Sequence, residues 1–247
     1  MIKGIYDSAA GMLPRYIKLA AIANNLANVN TPGYKLDEVH FGTVLDNELT
    51  QPDKGGKARS EMDRQMVHYV DFTQGSLENT GQKTHFAING KGFFMVENPE
   101  SGERFYTRNG DFLFNDQSEL VDSQGFRVLL EDGAPIIAHG NNLLVSEDRQ
   151  VFVDGEPIGK LAVMTFENLN DIVKRGNSLY SNLGNQVPEE PEDTVVLQGF
   201  LETSNVNLVQ QMVDMITLNR NYESSQRALV AQDDTLKKAV QQVGAFS

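Results

Sequence analysis

Apolar residues recur at alternating steps of three and four at both ends of this 247-residue chain, and this spacing limits its fold more than any other feature. Such heptad spacing is typical of helices that pack along another helix through a continuous seam. The members of the first seam are Ile2, Ile5, Ala9, Met12, Tyr16, Leu19, Ala23 and Leu26. The members of the second seam are Leu208, Met212, Met215, Asn219, Tyr222, Gln226, Leu229, Asp233, Leu236, Val240 and Val243. We therefore predict a helical arm at each end and expect the arms to pack on each other.

The sequence also marks where the arms begin and end. The Thr-Pro-Gly segment at residues 31–33 ends the first helix. Asn207 and Gln210 resemble a capping box at the start of the second helix, and Gly244 stands where a helix stop belongs. A helix of about 37 residues spans roughly 55 Å and needs packing along most of its length. Pro14 lacks a backbone N–H, so it predicts a kink or a break in the first helix.

Polar residues interrupt the second seam at one heptad position, and they are Asn219, Gln226 and Asp233. Polar residues within a seam cost stability but can fix register and oligomeric state. The alternative is that the helix turns slightly and leaves these three in water. It would then bury three aliphatic residues instead, namely Val209, Ile216 and Val230. The sequence leaves both interpretations open.

The middle of the chain changes to short apolar segments separated by turn residues. Asn-Gly and Asp-Gly between such segments are strong signals for tight β-hairpins. Three hairpins are predicted on this basis, pairing residues 86–88 with 93–96, 105–107 with 112–114, and 151–153 with 161–166. Short strands at this spacing indicate an all-β domain.

The predicted fold class is α+β, with a discontinuous helical coiled-coil layer and an inserted all-β domain. Residues 1–35 and 205–247 form the helical arms, and residues 81–188 form the β domain. Residues 36–80 and 189–204 are predicted to be extended connectors, because they are polar, Gly-rich or charged.

Charge is distributed unevenly along the chain, whose net charge is −13. Residues 1–35 carry four basic groups and one acidic group, whereas residues 36–204 carry 29 acidic and 13 basic groups. An acidic surface repels phosphate backbones and anionic lipids, so we expect neither nucleic acid nor a membrane surface as a partner. No uncharged apolar stretch is long enough to insert in a membrane, and no cleavable signal is evident.

No motif for catalysis or metal binding stands out. The chain has no cysteine, which excludes disulfides and thiolate chemistry, and its four histidines form no i, i+4 pair. The densest carboxylate cluster, at residues 189–193, is flanked by proline and fits a solvated connector. We therefore expect no catalytic residue, no metal and no cofactor, and we predict that the chain is not an enzyme.

Several sequence blocks carry a family resemblance. They are NNLANVNTPGYK at 24–35, FTQGSL at 72–77 with TG at 80–81, INGKGFF at 88–94, YTRNGDF at 106–112 and GFLETSNVN at 199–207. Together, and in this order, they resemble the flagellar basal-body rod and hook axial proteins. The resemblance covers essentially the whole chain.

This resemblance implies a structural subunit of the bacterial flagellar rod. It implies export through the flagellar type III pathway without signal cleavage, assembly in the periplasm, and a hollow torque-transmitting shaft built from the terminal helices with the β domain outside. It also implies that the partners are other copies of the chain and related rod and hook axial proteins. The chain is most similar to the proximal rod member, because the region after residue 35 is short where the distal relative usually carries an added segment.

The predicted assembly residues are the seam positions of both arms together with a group of asparagines. They are Ile5, Ala9, Met12, Tyr16, Leu19, Ala23, Leu26, Leu208, Met212, Met215, Tyr222, Leu229, Leu236 and Val240, with Asn24, Asn25, Asn28 and Asn30. The asparagines satisfy polar groups where the arm meets a neighbour, or else they simply cap and end the helix. Alternative functions are a distal-rod or hook-basal-body subunit, a periplasmic cell-wall-acting enzyme, and a soluble coiled-coil adaptor.

Overall fold

The computed structural model describes residues 2–41, 66–138, 142–183, 186–191 and 193–244, with the side chains of the first helix described from Met12 onward. Its two α-helices are α1 (Ile2–Ala27) and α2 (Leu208–Gly244). The strands are β1 (Leu36–Phe41), β2 (Met66–Asp71), β3 (Leu77–Asn79), β4 (Phe86–Asn89), β5 (Phe93–Glu97), β6 (Arg104–Thr107), β7 (Leu113–Phe114), β8 (Leu120–Val121), β9 (Arg127–Val128), β10 (Leu143–Val145), β11 (Gln150–Val153), β12 (Glu156–Lys160), β13 (Val163–Met164), β14 (Ile172–Gly176), β15 (Leu179–Asn182), β16 (Val195–Gln198) and β17 (Phe200–Glu202). One 3₁₀ turn spans Leu169–Asp171. The predicted α+β class is confirmed, with one helix at each end and a large β region between them.

The chain divides into two compact units. The helical unit consists of Met1–Ala27, Asp37–Asp71 and Val206–Ser247. The β unit consists of Asn28–Leu36 and Phe72–Asn205. Each unit therefore combines segments that are separated in the sequence.

Within the helical unit, α1 and α2 pack against each other in antiparallel orientation. The side chain of Asn25 donates a hydrogen bond to Oε1 of Gln211 at 3.3 Å. Ten residues earlier in α1, Arg15 donates to the carbonyl oxygen of Asn221 at 3.4 Å and to the hydroxyl of Ser225. Because residues later in α1 contact residues earlier in α2, the two helices run in opposite directions.

The first helix continues through Pro14. The predicted break at this residue is therefore wrong. Proline removes a single backbone hydrogen bond and crowds the carbonyl one turn earlier, which is a local cost. The helix spans 26 residues across this position, and Arg15, next to the proline, contacts α2 directly. The kink that the sequence offered as the other outcome stays a prediction.

The second helix begins at the predicted cap. The side chain of Asn207 accepts a hydrogen bond from the backbone N–H of Gln210 at 3.1 Å, as an N-cap residue does. The reciprocal half of the predicted capping box is absent, because the Gln210 amide donates to Oδ1 of Asp214 at 2.9 Å instead. α2 has 37 residues and ends at Gly244.

The β unit contains one large mixed-order sheet and several smaller ones. The large sheet has the strand order β14-β15-β6-β5-β9-β8-β7, with β13 added on β5. A second sheet has the order β10-β11-β12, and β16-β4 and β17-β3 form two-stranded pairs. Every described pairing within the unit is antiparallel. In addition, β1 pairs with β2.

Two of the three predicted hairpins are wrong. β4 pairs with β16 and not with β5, and β6 pairs with β5 and β15 and not with β7. Residue Gly110 lies so close to the backbone of Phe86 that an added Cβ would be 1.6 Å from its carbonyl oxygen. The Phe86 N–H donates to the Gly110 carbonyl at 3.0 Å. The Asn-Gly pairs therefore lie where segments distant in sequence pass close to each other. Pairing between distant strands overrides the local turn signal.

The third predicted hairpin is present with a different second strand. β11 and β12 are joined by Asp154 and Gly155, both with positive φ, which is the geometry of a tight primed turn. The returning strand is Glu156–Lys160, although the sequence analysis assigned it to residues 161–166. The next strand, β13, pairs with β5 in the large sheet.

The core of the β unit is apolar and contains an edge-to-face pair of aromatic rings. Phe94 and Phe112 meet edge to face with ring centroids 5.4 Å apart. The other fully or nearly fully buried members of this core are Phe86, Ile88, Val96, Leu120, Val128, Leu130, Ile136, Leu143, Val145, Val151, Leu161, Val163, Leu179 and Val196. These residues come from the large sheet, the β10-β11-β12 sheet and the β16-β4 pair, so these three sheets share one core.

Candidate assembly surface

The first helix has two faces with heptad spacing, and only one of them is covered. The covered face is formed by Met12, Arg15, Leu19, Ile22 and Leu26, among which Ile22 is fully buried. A neighbouring face carries apolar side chains in water, and its members are Leu13, Tyr16, Ala20, Ala23 and Ala27. Tyr16 is 59% exposed. An exposed apolar stripe that repeats along a helix is unusual on a protein that has no further partner.

The second helix shows the same division. Its partly buried face contains Gln211, Met215, Leu218, Tyr222, Ser225, Leu229 and Leu236. A neighbouring face begins with apolar residues in water, namely Leu208, Val209, Met212, Val213 and Ile216, and Val230 follows further along. Val209 is 70% exposed. Pairing of α1 with α2 therefore leaves an apolar stripe on each helix, and we call these two stripes the outward faces.

The predicted seams are split between the covered and the outward faces. Met12, Leu19, Leu26, Met215, Tyr222, Leu229 and Leu236 are partly buried, whereas Tyr16, Ala23, Leu208 and Met212 are exposed. The side chains of Ile5, Ala9 and Val240 lie outside the described residues. The sequence pattern identified the helices, but each predicted seam includes residues from two adjacent helix faces. A strict seven-residue repeat drifts around a helix of 3.6 residues per turn, so one seam can contain residues of both faces.

Within the single chain, the contact of α2 with α1 follows neither interpretation of its polar positions, and Asp233 is half-buried. Which interpretation holds against another subunit stays a prediction. Val209, Ile216 and Val230 are all exposed, and so are Asn219 and Gln226. The helix is turned the other way, so that Leu218 and Ser225 face α1.

Among the four predicted asparagines, Asn25 is held most tightly. Its side chain is fully buried, donates to the Asp37 carbonyl at 2.9 Å and accepts from the Asp37 N–H at 2.9 Å. This pair of bonds attaches the strand after the helix to α1. The carbonyl of Asn28 accepts from the N–H of Thr31 at 3.0 Å in the turn that follows, while Asn24 and Asn30 are exposed.

Within the β unit, the segments next to both helices are joined by a buried ion cluster that the sequence analysis did not identify. Lys35 Nζ lies 2.6 Å from Oε1 of Glu202, and both side chains are 0% exposed. Arg108 Nη1 lies 3.3 Å from the other carboxylate oxygen. Burial lowers the pKa of Arg108, and the nearby Glu202 carboxylate acts in the opposite direction. We call these three residues the ion cluster.

Backbone groups complete the ion cluster. Lys35 donates to the Thr73 carbonyl at 2.7 Å, and the Gly75 N–H donates to Glu202 at 2.9 Å. Buried charges are tolerated only when they are paired and hydrogen-bonded in this way. Each of the three charges lies within one of the blocks 24–35, 106–112 and 199–207 that carry the family resemblance, and this was the available signal for the cluster.

Two glycines permit the close packing around the ion cluster. At Gly33, which has φ +66°, an added Cβ would be 2.3 Å from the backbone of Arg108. At Gly75 an added Cβ would be 1.9 Å from the carbonyl oxygen of Thr203. Both glycines lie in the sequence blocks listed above, so these blocks meet at one place in the β unit.

The described residues show no group of three or more histidines, cysteines or carboxylates that could hold a metal ion. No helix in the described part of the chain is long and apolar enough to cross a membrane.

A helix at each end with a large β region between them, and outward faces suited to association, defines a structural subunit. The flagellar basal-body rod protein FlgG of Buchnera aphidicola subsp. Baizongia pistaciae is 33% identical over 261 residues, covering 96% of this chain and 98% of that protein. The flagellar basal-body rod protein FlgF of Caulobacter vibrioides is 32% identical over 249 residues, covering 100% of both chains. This chain belongs to the flagellar basal-body rod protein family.

Family models agree with these relatives along the chain. The model described as flagella basal body rod protein matches residues 9–35, the flagellar hook protein FlgE/F/G D1 domain matches 87–153, and the flagellar basal body rod FlgEFG protein C-terminal matches 197–242. FlgG of Borreliella burgdorferi is 30% identical over 96% of this chain and 97% of that protein. The chain is thus a structural rod subunit of the flagellar basal body, and its family is not enzymatic.

Proposed function

We propose that the two terminal helices form the polymerising layer of a hollow, torque-transmitting rod. The observation that carries this proposal is the pair of outward faces left on α1 and α2 after the helices have packed on each other. Burying such faces against other subunits would remove their apolar surface from water, at roughly 25 cal/mol for each Å². The layer is then a coiled-coil arrangement shared between chains.

The outward faces belong to different helices, and this favours an open assembly. A contact between the α1 face of one copy and the α2 face of the next is head to tail, so it generates a helical filament unless the rotation closes it into a ring. The partners in this proposal are other copies of the chain and related rod and hook axial proteins. In this proposal, residues 1–35 and 205–247 supply the layer, residues 81–188 form the outer domain, and residues 36–80 and 189–204 connect them. The strands β3, β16 and β17 within these connecting segments also pair inside the β unit.

We further propose that the chain is exported by the flagellar type III pathway, assembles in the periplasm, and occupies the proximal rod. The alignment with FlgF of C. vibrioides runs over 249 residues, close to the 247 of this chain, whereas that with FlgG of B. aphidicola runs over 261. This supports a relationship to the shorter rod proteins. Expressing the gene in strains that lack either the proximal or the distal subunit tests the position, because only the proximal-rod strain should regain motility.

The assembly proposal is tested by placing a charge on the outward face of α2. Ile216→Asp should abolish rod assembly, because the carboxylate would be buried without a partner against the neighbouring subunit. Ala228→Asp introduces the same charge at an exposed position on the flank of α2 and should leave assembly unchanged. Swimming of a complemented strain lacking the gene reports assembly, and circular dichroism of the purified chains checks that both fold. Normal swimming with Ile216→Asp would refute the proposal.

A further inference from the structure

The last segment of the β unit, residues 194–205, supplies the strand partners of two earlier strands, and we call it the closing segment. Its strand β16 pairs with β4, and its strand β17 pairs with β3. Among the described residues, neither β3 nor β4 pairs with any other strand. β4 is fully buried at Phe86–Ile88. The Phe86 N–H of β4 donates to the Gly110 carbonyl, and the Ile88 carbonyl accepts from the Gln74 side chain. Without the closing segment, the β4 backbone groups that pair with β16 would lose their partners inside a buried region, which is costly.

The closing segment also supplies the only carboxylate of the ion cluster. Glu202 forms ion pairs with both Lys35 and Arg108, which come from parts of the chain far from it in sequence. Its carbonyl oxygen accepts a further bond from the N–H of Gly33 at 2.7 Å. Until Glu202 is in place, burial of Lys35 and Arg108 would leave two uncompensated charges in an apolar environment.

Further contacts tie the closing segment to the rest of the unit. The Thr194 hydroxyl donates to the Lys91 carbonyl at 2.7 Å. The Gln198 side chain accepts from the Val145 N–H at 3.1 Å and donates to the Leu143 carbonyl at 3.0 Å. Val196 is buried in the shared core. The closing segment thus touches the ion cluster, β4 and the β10-β11-β12 sheet together.

We propose that the closing segment is a folding switch, so that the β unit cannot reach its closed state before residues 194–205 have docked. The segment directly precedes α2, so most of the chain must be available before the β unit closes. This delays formation of the anchored segments that lead into both helices. The opposing possibility is that the closing segment is a peripheral flap on a β unit that folds without it.

Pulse-labelled hydrogen exchange during refolding of the full chain separates these possibilities. If the switch operates, the amides of β4, β5, β6 and β16 gain protection in one phase, with rate constants equal within about twofold. If β5 and β6 become protected at least about tenfold sooner than β4 and β16, the large sheet closes without the segment and the proposal is wrong. This experiment needs no substitution, so it does not depend on a variant that folds.

A disulfide provides a second test, and the absence of other cysteines makes it specific. Asn79 and Phe200 are directly opposed in the β3-β17 pair. Opposed residues of an antiparallel pair lie about 4.5–5.5 Å apart at their Cα atoms, which suits a disulfide.

The Asn79→Cys/Phe200→Cys variant should fold at least about tenfold faster when oxidised, because the cross-link closes a loop of about 120 residues in advance. The same variant reduced with dithiothreitol is the matched control. All β-unit amides should accelerate together. Equal folding rates for the oxidised and reduced forms would overturn the proposal, because docking would then follow the rate-limiting step.

Discussion

Glu202 is the residue on which the buried polar interior of the β unit depends. Its two carboxylate oxygens face Lys35 and Arg108, and it also accepts the Gly75 N–H. A buried pair of this kind contributes little net stability compared with an apolar replacement, yet removal of one partner is strongly destabilising. The position is therefore far more sensitive to a single substitution than its net energetic contribution would indicate.

Glu202→Gln should lower the free energy of unfolding by about 3–5 kcal/mol, because Lys35 and Arg108 would remain buried without a counter-charge. Glu78→Gln, on the neighbouring strand β3 but exposed, should change it by no more than about 0.5 kcal/mol. Urea unfolding of the two variants and the unmodified chain measures both values. Equal losses for the two variants would mean that the ion cluster is not the source of the effect.

Asp122 gives the β unit a specific dependence on pH. Burial raises the pKa of Asp122, and hydrogen bonds from the N–H groups of Phe126 and Gln124 oppose that rise. A raised pKa in the folded state means that this group stabilises most below its unfolded pKa and that the contribution is lost as pH rises through the folded pKa.

The stability advantage of the unmodified chain over Asp122→Asn should therefore shrink between about pH 3 and about pH 7. Urea unfolding of both proteins across this range measures the difference, and the exposed Asp116→Asn serves as the control. An advantage that grew with pH would contradict the assigned cause.

The ion cluster also shows what sequence reasoning at the residue scale could not reach. Lys35 and Glu202 are 167 residues apart, and neither has a spacing or composition that indicates burial. The sequence blocks that contain them were recognised, but a block does not reveal which of its residues meet. Pairing of distant charges depends on the assembled topology.

At the scale of elements, the helices were predictable and the strand pairings were not. Helix periodicity is a local property, so α2 was found with its length and its cap at Asn207. Its rotation was not predictable, because two adjacent stripes are both apolar. Strand partners are set by contacts across the chain, and Asn89-Gly90 therefore gave a false hairpin.

The cap of α2 carries a measurable share of helix stability. Asn207→Ala should lower the free energy of unfolding of the helical unit by about 1 kcal/mol, because the Gln210 N–H would lose its acceptor. Asn207→Ser retains a side-chain acceptor and should lose much less. Circular dichroism at 222 nm during thermal unfolding compares the variants. If serine and alanine were equally destabilising, the hydrogen bond would not be the cause.

At the scale of the whole molecule, the head-to-tail proposal predicts how damaged copies combine. Tyr16→Asp places a charge on the outward face of α1, and Ile216→Asp places a charge on the outward face of α2. Each variant alone should remain monomeric, since every contact needs one intact face of each kind. A mixture of the two should form dimers and nothing larger, because the single intact contact cannot propagate.

Analytical ultracentrifugation of the separate and mixed proteins measures this, with Ala228→Asp in place of Ile216→Asp as the control. Long assemblies in the mixture would contradict a head-to-tail contact between α1 and α2. The boundaries of the arms, the connectors and the outer domain stay predictions until such assemblies are examined.

The outward face of α2 changes character along its length, from Val209, Val213 and Ile216 to Arg220, Glu223 and Arg227. A neighbouring subunit in the correct register would place apolar side chains against the first three turns and leave the guanidinium and carboxylate groups hydrated. A neighbouring subunit displaced along the axis by a few turns would place its aliphatic side chains against those charged groups and remove the charged groups from water. In the proposed assembly, this gradient therefore penalises sliding of a neighbouring subunit along the axis of α2.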